Sequence, residues 1–347
     1  MKSGAGRAAR ILPAVLPPLI SVLLAFIVGG LLLILLGYNP LEAYAMLFRG
    51  AFGSTNRICE ILVKAAPLII LALGISIAFK SQIWNIGGDG QFTIGAIFSV
   101  WVALNVGLPP VLLAPLTFLA AFVGGAFWGG IAGLLKSRFN ANEVITTLML
   151  NYIAVYILGW LVLGPMMDPA GHGFPQTQLV GEALRMPILI AHTRLHGGII
   201  LALIMVVLIY FFWKTTLGFR IELVGKSVKV ARYAGINVPR TMVLTMVISG
   251  GMAGIAGWCE VFGIHYRLLD HLAAGYGYLA IVVALLADLN PIGIIISAFF
   301  FSALMVGGAT MERMAGIPFS LVDIIEGLVI IFVISRVIYT RWRGDRA

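Results

Sequence analysis

Charge is scarce in this 347-residue chain: Asp, Glu, Lys and Arg make up 11% of it, where a soluble domain carries about 25%. That shortage excludes an ordinary water-soluble fold. Acid is scarcer than base, with 14 Asp and Glu against 23 Lys and Arg. In so apolar a chain the resulting charge of +9 reads as a record of membrane orientation, and no nucleic-acid partner is expected. Cysteine is nearly absent. Cys59 and Cys259 lie in separate apolar runs, form no disulfide framework or metal-ligand set, and read as small buried hydrophobes. Among the five histidines, only His192 and His196 share helical spacing, with no acid beside them, so no metal site is expected. A serine–histidine–acid set with hydrolase spacing is missing. So is a G-x-x-x-x-G-K-[ST] phosphate loop. The chain is therefore expected not to be an enzyme, and to hold no cofactor.

What the chain has instead is length of apolar sequence. Hydrophobic residues are 61% and mean hydropathy is +1.04. A hydrocarbon core about 30 Å thick takes roughly 20 apolar residues in a helix, and backbone groups in lipid must be satisfied internally. Ten apolar runs meet or approach that need, at 11–37, 58–79, 90–107, 110–135, 144–164, 197–213, 241–263, 274–288, 291–308 and 318–339. The run at 274–288 is short and glycine-interrupted, which leaves eight or nine crossings open. The expected fold is an all-α, multi-pass membrane protein forming one transmembrane domain over 1–347. The first run lacks a small-residue cleavage site and is expected to stay as a helix.

Placing both termini on the inner side puts Arg49, Arg57, Lys64, Arg185, Arg194, Arg267 and Arg313 outside. The other 16 of the 23 Lys and Arg then fall inside, as the positive-inside rule requires. Five helices (11–164) precede an outer loop at 165–196 and five (197–339) follow it. An odd-numbered half inverts its successor, an arrangement that builds many transport pathways. Each half carries a glycine-rich break at a similar distance from its start: Asn85–Gln91 and Ala273–Tyr278. Interrupted segments at matching places point to a binding site, although ordinary interhelical turns share the signal. Gly125, Gly129 and Gly133, and Gly250 and Gly254, recur every four residues and suit close helix packing. Pro67 is expected to kink its helix.

Polar groups inside membrane runs are costly, so each invites a role. Asn85, Asp89 and Gln91 flank the first break. Asp89 and Gln91 can cap the following helix, or all three can line the pathway. Asn142, Glu143, Thr146, Thr147 and Asn151 open the fifth run, and Glu143, Thr147 and Asn151 share one face. Their amides and hydroxyls suit a nucleobase edge or ribose, and equally suit interhelical hydrogen bonds. Glu143 lies at the inner boundary, where a gate or an ATPase contact is the alternative. Glu260 sits among apolar neighbours and needs a partner or a proton, while Trp258 reads as packing. Tyr276 and Tyr278 at the second break can stack on a flat ring or anchor at the interface. Glu60 with Lys64, and Asp323 with Glu326, read as an interfacial pair and as helix-start acids.

The inner loop 214–240 is the most informative soluble stretch. Val224, Val228, Ala231 and Ala234 fall near one face of a short helix, with Lys226, Lys229 and Arg232 on others. Gly235 is a helix stop and Pro239 lies just beyond it. Such a helix can lie in the headgroup layer, or fit a groove on a cytosolic partner. Since the chain has no phosphate loop, ATP-driven transport would need a separate subunit, and this loop is its natural contact.

The strings N-I-G-G-D-G-Q-F (85–92), N-A-N-E-V-I-T-T-L-M-L-N-Y-I-A (140–154), A-G-Y-G-Y-L-A-I-V-V-A-L-L (274–286) and A-R-Y-A-G-I (231–236) resemble permeases of ATP-binding-cassette importers. The nucleoside and simple-sugar branch is the nearer match, and branched-chain amino-acid permeases the more distant one. The likeness runs from about Tyr38 to Arg336. It implies a bacterial inner-membrane subunit that passes a nucleoside, or second a simple sugar. Its partners would be a second, homologous permease, a cytosolic ATPase that binds ATP and Mg, and an extracytoplasmic substrate-binding protein. Residues 224–236, with Val224, Lys226, Val228, Lys229, Ala231, Arg232, Ala234 and Gly235, would form the coupling contact. Asn85, Asp89, Gln91, Thr147, Asn151, Glu260 and Tyr276 are the pathway candidates. Asp89 departs from the glutamate frequent there but keeps the acid; A-D-L-N-P (287–291) stands where small or basic residues are commoner. The rival reading is an ion-coupled secondary transporter in which Glu260 or Asp89 carries a proton.

Overall fold

The computed structural model describes the backbone of residues 4–344 and the side chains of 20–332 and 335. Lys2, Arg7, Arg10, Arg336, Arg341, Arg343 and Arg346, all used in the orientation count, lie outside the described side chains. The α-helices are α1 (Gly4–Leu35), α2 (Pro40–Phe52), α3 (Thr55–Lys80), α4 (Gly88–Asn105), α5 (Pro110–Phe139), α6 (Glu143–Leu163), α7 (Gly198–Phe212), α8 (Thr216–Lys226), α9 (Val228–Tyr233), α10 (Val238–Glu260), α11 (Tyr276–Leu286), α12 (Pro291–Ala315) and α13 (Ser320–Gly344). Among the described residues the only strand-like pairings are two isolated bridges.

Every expected apolar run holds a helix, but the helices differ in reach. α3, α5, α6, α10 with its π-helical extension to His265, and α12 are each long and apolar enough to cross a membrane. α7 and α8 pass that test together, though a 73° bend separates them. α11 has 11 residues and rises only about 16 Å, half of the hydrocarbon core. The chain is thus a multi-pass helical membrane protein. α2 was not expected. Glu42 and Arg49 interrupt its apolar character, and its 13 residues are too few to span. Asn39 caps it, Glu42 sits in its first turn and Arg49 in its last, each charge opposing the local helix dipole.

The chain divides into two compact units, residues 1–61 with 299–347, and residues 62–298. In the first, α1 packs against α13. The Tyr44 hydroxyl donates to the Phe26 carbonyl (2.6 Å), and the two rings meet edge to face at 5.3 Å. The Arg57 guanidinium donates to the Gly50 carbonyl (3.0 Å) and to the Thr310 hydroxyl.

The second unit is built around α4, α5 and α10. The glycine stripes do here what their spacing promised. A β-carbon on Gly125 would overlap the Gly250 carbonyl, and one on Gly254 would overlap the Ala121 carbonyl. In lipid no hydrophobic force draws helices together, so close backbone approach and dispersion contacts must. Trp258 packs as expected: its indole donates to the Thr117 hydroxyl (3.1 Å) and its ring meets Phe118 edge to face. Beyond α10 the chain makes a π turn, Val261–His265, and Tyr266 adopts φ 57°. Loop 165–196 zips onto this segment: Thr177 N donates to Leu268 O (3.1 Å), Val180 N to Tyr266 O (2.8 Å) and Met186 N to Phe262 O (2.9 Å).

Candidate functional site

The first break begins where α3 ends at Lys80 and lasts until α4 begins at Gly88. Asn85 is its centre and is fully buried. Its amide nitrogen donates to Gln91 Oε1 and to the Ser249 hydroxyl, both at 2.9 Å. Its Oδ1 accepts from Gln91 Nε2 (2.9 Å) and from Gly87 N (3.0 Å). That uses all four of its hydrogen-bonding positions. Asn151, from α6, accepts from Gly90 N (2.8 Å) and donates to the Ile86 carbonyl (2.9 Å) and, at 3.4 Å, to the Tyr278 hydroxyl. One turn earlier the Thr147 hydroxyl accepts from Ile86 N (3.3 Å) and donates to the Glu143 carbonyl (2.6 Å). The polar face expected on this helix therefore exists, and it grips the first break.

The second break lies against the first. Asp89 Oδ1 accepts from Gly277 N at 2.6 Å, a bond across 188 residues that fastens α4 to the first turn of α11. A β-carbon on Gly277 would overlap the Asp89 amide nitrogen, so the two backbones are in contact. Tyr276 stacks on Phe92, with ring centroids 6.2 Å apart and planes 10° apart. Ala274 (φ 45°) and Gly275 (φ 83°) turn the chain into α11.

Of the two roles open to Asp89 and Gln91, capping α4 is not the one observed. The cap position is Gly87, with no side-chain cap bond. Asp89 lies in the first turn, past the position from which a side chain folds back on its own amides, and Gln91 is engaged by Asn85. Instead each helix start is capped from a neighbour. Asn151 of α6 takes an orphan amide of α4, and Asp89 of α4 takes one of α11. The buried carboxylate thus sits where the positive ends of two helices converge, a favourable place for an anion.

The structure brings Asn85, Asp89, Gln91, Thr147, Asn151 and Tyr276 into one cluster; Glu260 is engaged elsewhere. Its Oε1 lies 3.3 Å from His265 Nε2, and its Oε2, like Nε2 of the buried His196, has no hydrogen-bond partner. Burial holds the His196 imidazole below its usual pKa, against the opposing pull of the Glu260 carboxylate and with the Arg194 charge acting the same way as burial. Sequence reasoning missed Ser249 and Phe92 and named Gly277 only as part of the second break. Ser249 adjoins the Gly250 stripe, a signal that was available; Phe92 has none of its own.

The inner loop is not a single helix over 224–236. Ser227 (φ −162°, ψ 112°) ends α8, and its side chain caps α9 by accepting from Val230 N. Val224, Ala231 and Val238 pack together as a buried cluster under the loop. Val228, Lys229, Val230, Arg232, Tyr233 and Ala234 are exposed, and Gly235 stops the turn at φ 75°. Lys226 holds the Glu222 carboxyl below its ordinary range, first by a hydrogen bond (2.8 Å). A β-carbon on Gly225 would overlap the Lys80 carbonyl, and the Lys80 ammonium lies 4.1 Å from the Trp213 ring centroid. The loop therefore presses on the end of α3, five residues before Asn85. Across the next corner Lys136 and Glu143 pair at 2.9 Å, joining the end of α5 to the start of α6.

The branched-chain amino acid transport system / permease component family matches residues 57–334. Three curated proteins are similar along nearly their whole length. The glucose ABC transporter permease protein TsgB13 of Haloferax volcanii is 36% identical over 94% of this chain and 88% of its own. The guanosine ABC transporter permease protein NupP of Bacillus subtilis is 34% identical over 92% and 93%. The nucleoside ABC transporter permease protein NupB of Lactococcus lactis is 36% identical over 93% and 92%.

Proposed function

The chain belongs to the branched-chain amino acid transport system / permease component family and is a permease subunit of an ABC importer, and from that premise we propose that it passes a nucleoside, with a simple sugar as the second reading. The observation that carries the substrate is the likeness, at 34–36% identity over more than nine-tenths of the chain, to permeases named for guanosine and nucleosides. The glucose permease of equal identity carries the second reading. In this proposal both termini face the cytosol, the ten helical runs form two inverted halves, and the membrane is a bacterial inner membrane. The partners are a second, homologous permease, a cytosolic ATPase holding ATP and Mg, and an extracytoplasmic substrate-binding protein.

The mechanism follows from the paired breaks. Asn85, Gln91 and Asn151 spend their donors and acceptors on one another and on backbone, so they serve the gate as its framework. Substrate reaches polar groups here only when the cap bonds between α6, α4 and α11 exchange for others. Cheap exchange of near-equal hydrogen bonds suits a conduit that must bind weakly and release. Force enters at the inner loop. The exposed Val228, Lys229, Val230, Arg232 and Tyr233 form the face for the ATPase, while Val224 and Ala231, being buried, position that face. Gly225 passes displacement to Lys80, and the short turn after it leads to Asn85.

The test uses the complete transporter in liposomes. Labelled guanosine should accumulate with ATP and be displaced by nucleosides; displacement by glucose alone would select the sugar. Collapsing the proton gradient with ATP held constant should leave uptake intact, and abolished uptake would favour the ion-coupled rival. Gly235→Pro combined with Arg232→Glu should preserve membrane insertion and uncouple ATP hydrolysis from uptake. Normal coupled uptake in that variant would refute the contact.

A further inference from the structure

A groove of about 420 Å³ opens between α8, the 234–237 turn and the first turns of α10. Arg220, Arg240 and Asn237 give it polarity; Leu217, Ile236 and Leu244 give it an apolar wall. None of its lining residues is acidic. Arg220 and Arg240 are both exposed, and among the described residues neither guanidinium makes an ion pair, hydrogen bond or ring contact. Asn237 spends its oxygen on Arg240 N (3.1 Å), which leaves its amide nitrogen to donate.

Depth decides what such a groove can hold. α10 is long and apolar enough to cross a membrane, and Arg240 lies in its first turn; a span of that length puts its first turn at headgroup level. Leu244 is one turn deeper. Two unpaired guanidiniums beside the apolar side chains of Leu217, Ile236 and Leu244 match a molecule with an anionic head and a hydrocarbon tail. A guanidinium binds phosphate oxygens in a bidentate fork, and basic pockets at helix ends on the cytosolic side of membranes take anionic headgroups. A carboxylate on a soluble partner would satisfy the charge but leave Leu217, Ile236 and Leu244 uncovered.

We propose that this groove binds the headgroup of an anionic phospholipid, with an acyl chain along Leu217 and Leu244. The lipid braces α8 against α10. It thereby stiffens the loop that presses on Lys80 and ties the loop to the helix that carries Ser249. The site does not depend on whether the loop contacts an ATPase.

The full transporter is purified from membranes of equal phosphatidylglycerol and phosphatidylcholine, and the lipid retained on the permease is weighed by native mass spectrometry. Phosphatidylglycerol should be retained in excess. Arg220→Gln with Arg240→Gln should lower its retention roughly thirty-fold, from the loss of two headgroup-level charges. Arg138→Gln with Lys214→Gln removes the same charge from exposed positions outside the groove and should retain wild-type amounts. Equal loss in both double variants would reduce the effect to net charge and overturn the proposal. So would wild-type protein that shows no preference between the two lipids, a readout that needs no variant to fold. Displacement of phosphatidylglycerol by millimolar inorganic phosphate would assign the groove to a free anion instead. Unchanged lipid retention with loss of the co-purifying ATPase would assign it to an acidic partner.

Discussion

The break before α4 is held by a network of buried amides and hydroxyls, whereas the break before α11 is held by backbone shape, one borrowed carboxylate, the Tyr276–Phe92 stack and a 3.4 Å bond from Asn151 to the Tyr278 hydroxyl. Asn85, Gln91, Thr147, Asn151 and Ser249 converge on the first, with bonds of 2.8–3.3 Å to its backbone and to one another. At the second, two consecutive left-handed residues make the turn and Asp89 supplies the cap. The two breaks touch through Asp89 and Gly277, yet the first is pinned by more hydrogen bonds than the second. Opening should therefore begin at α11, the shortest apolar helix among the ten runs, and the break after α3 should hold its shape while passing force to it.

The most damaging change to this asymmetry is Asn85→Leu. It strands the Gln91 amide, the Ser249 hydroxyl and Gly87 N, each at about 1–3 kcal/mol. A loss of about 3 kcal/mol or more is expected in denaturant unfolding of the purified permease; wild-type stability would mean the first break is not pinned. Next comes Asn151→Leu, which frees Gly90 N and the Ile86 carbonyl. It should cost about 2 kcal/mol and impair nucleoside uptake while ATPase assembly persists. Unchanged flux would take Asn151 out of the gate.

At the second break the expected effect is smaller. A β-carbon on Gly275 would meet open space, so Gly275→Ala carries only the left-handed conformation, about 1 kcal/mol. A much larger loss would show further side-chain restraints at this break, and the comparison would fail. The smallest effect concerns His196, near the zipped loop. Its folded pKa lies below the unfolded value, so the native state binds fewer protons. Its contribution is complete above about pH 6.5 and is lost as pH falls toward the folded value. His196→Gln should flatten the fall in melting temperature over that acidic range; an unaltered slope would show that another group titrates there.

Much of this architecture was legible because its signals are local. Apolar runs placed the helices, four-residue glycine spacing marked the faces of α5 and α10 suited to close packing without saying that they pair, and the shared face of Thr147 and Asn151 was readable from periodicity alone. The caps were harder. Capping rules describe a side chain folding onto its own helix, and here the donors are 61 and 188 residues from the acceptors. Nothing local to Asp89 indicates that its partner is Gly277. α2 was hidden by Glu42 and Arg49 within an apolar run. The division of the inner loop at Ser227 had a signal, a capping residue before a short helix, but the valine and alanine spacing ran through it and pointed to a continuous helix. The π turn after Glu260 has no sequence marker here.

The central claim is that the Asp89 carboxylate works as a cap joining the two breaks, and not as a proton carrier. Uptake of labelled guanosine by the complete transporter, compared between Asp89→Asn and Asp89→Ala, tests it most directly. Asparagine keeps an oxygen for Gly277 N and no ionisable proton, so it should retain most uptake, while alanine uncaps α11 and loses it. Equal abolition by both substitutions would contradict the account.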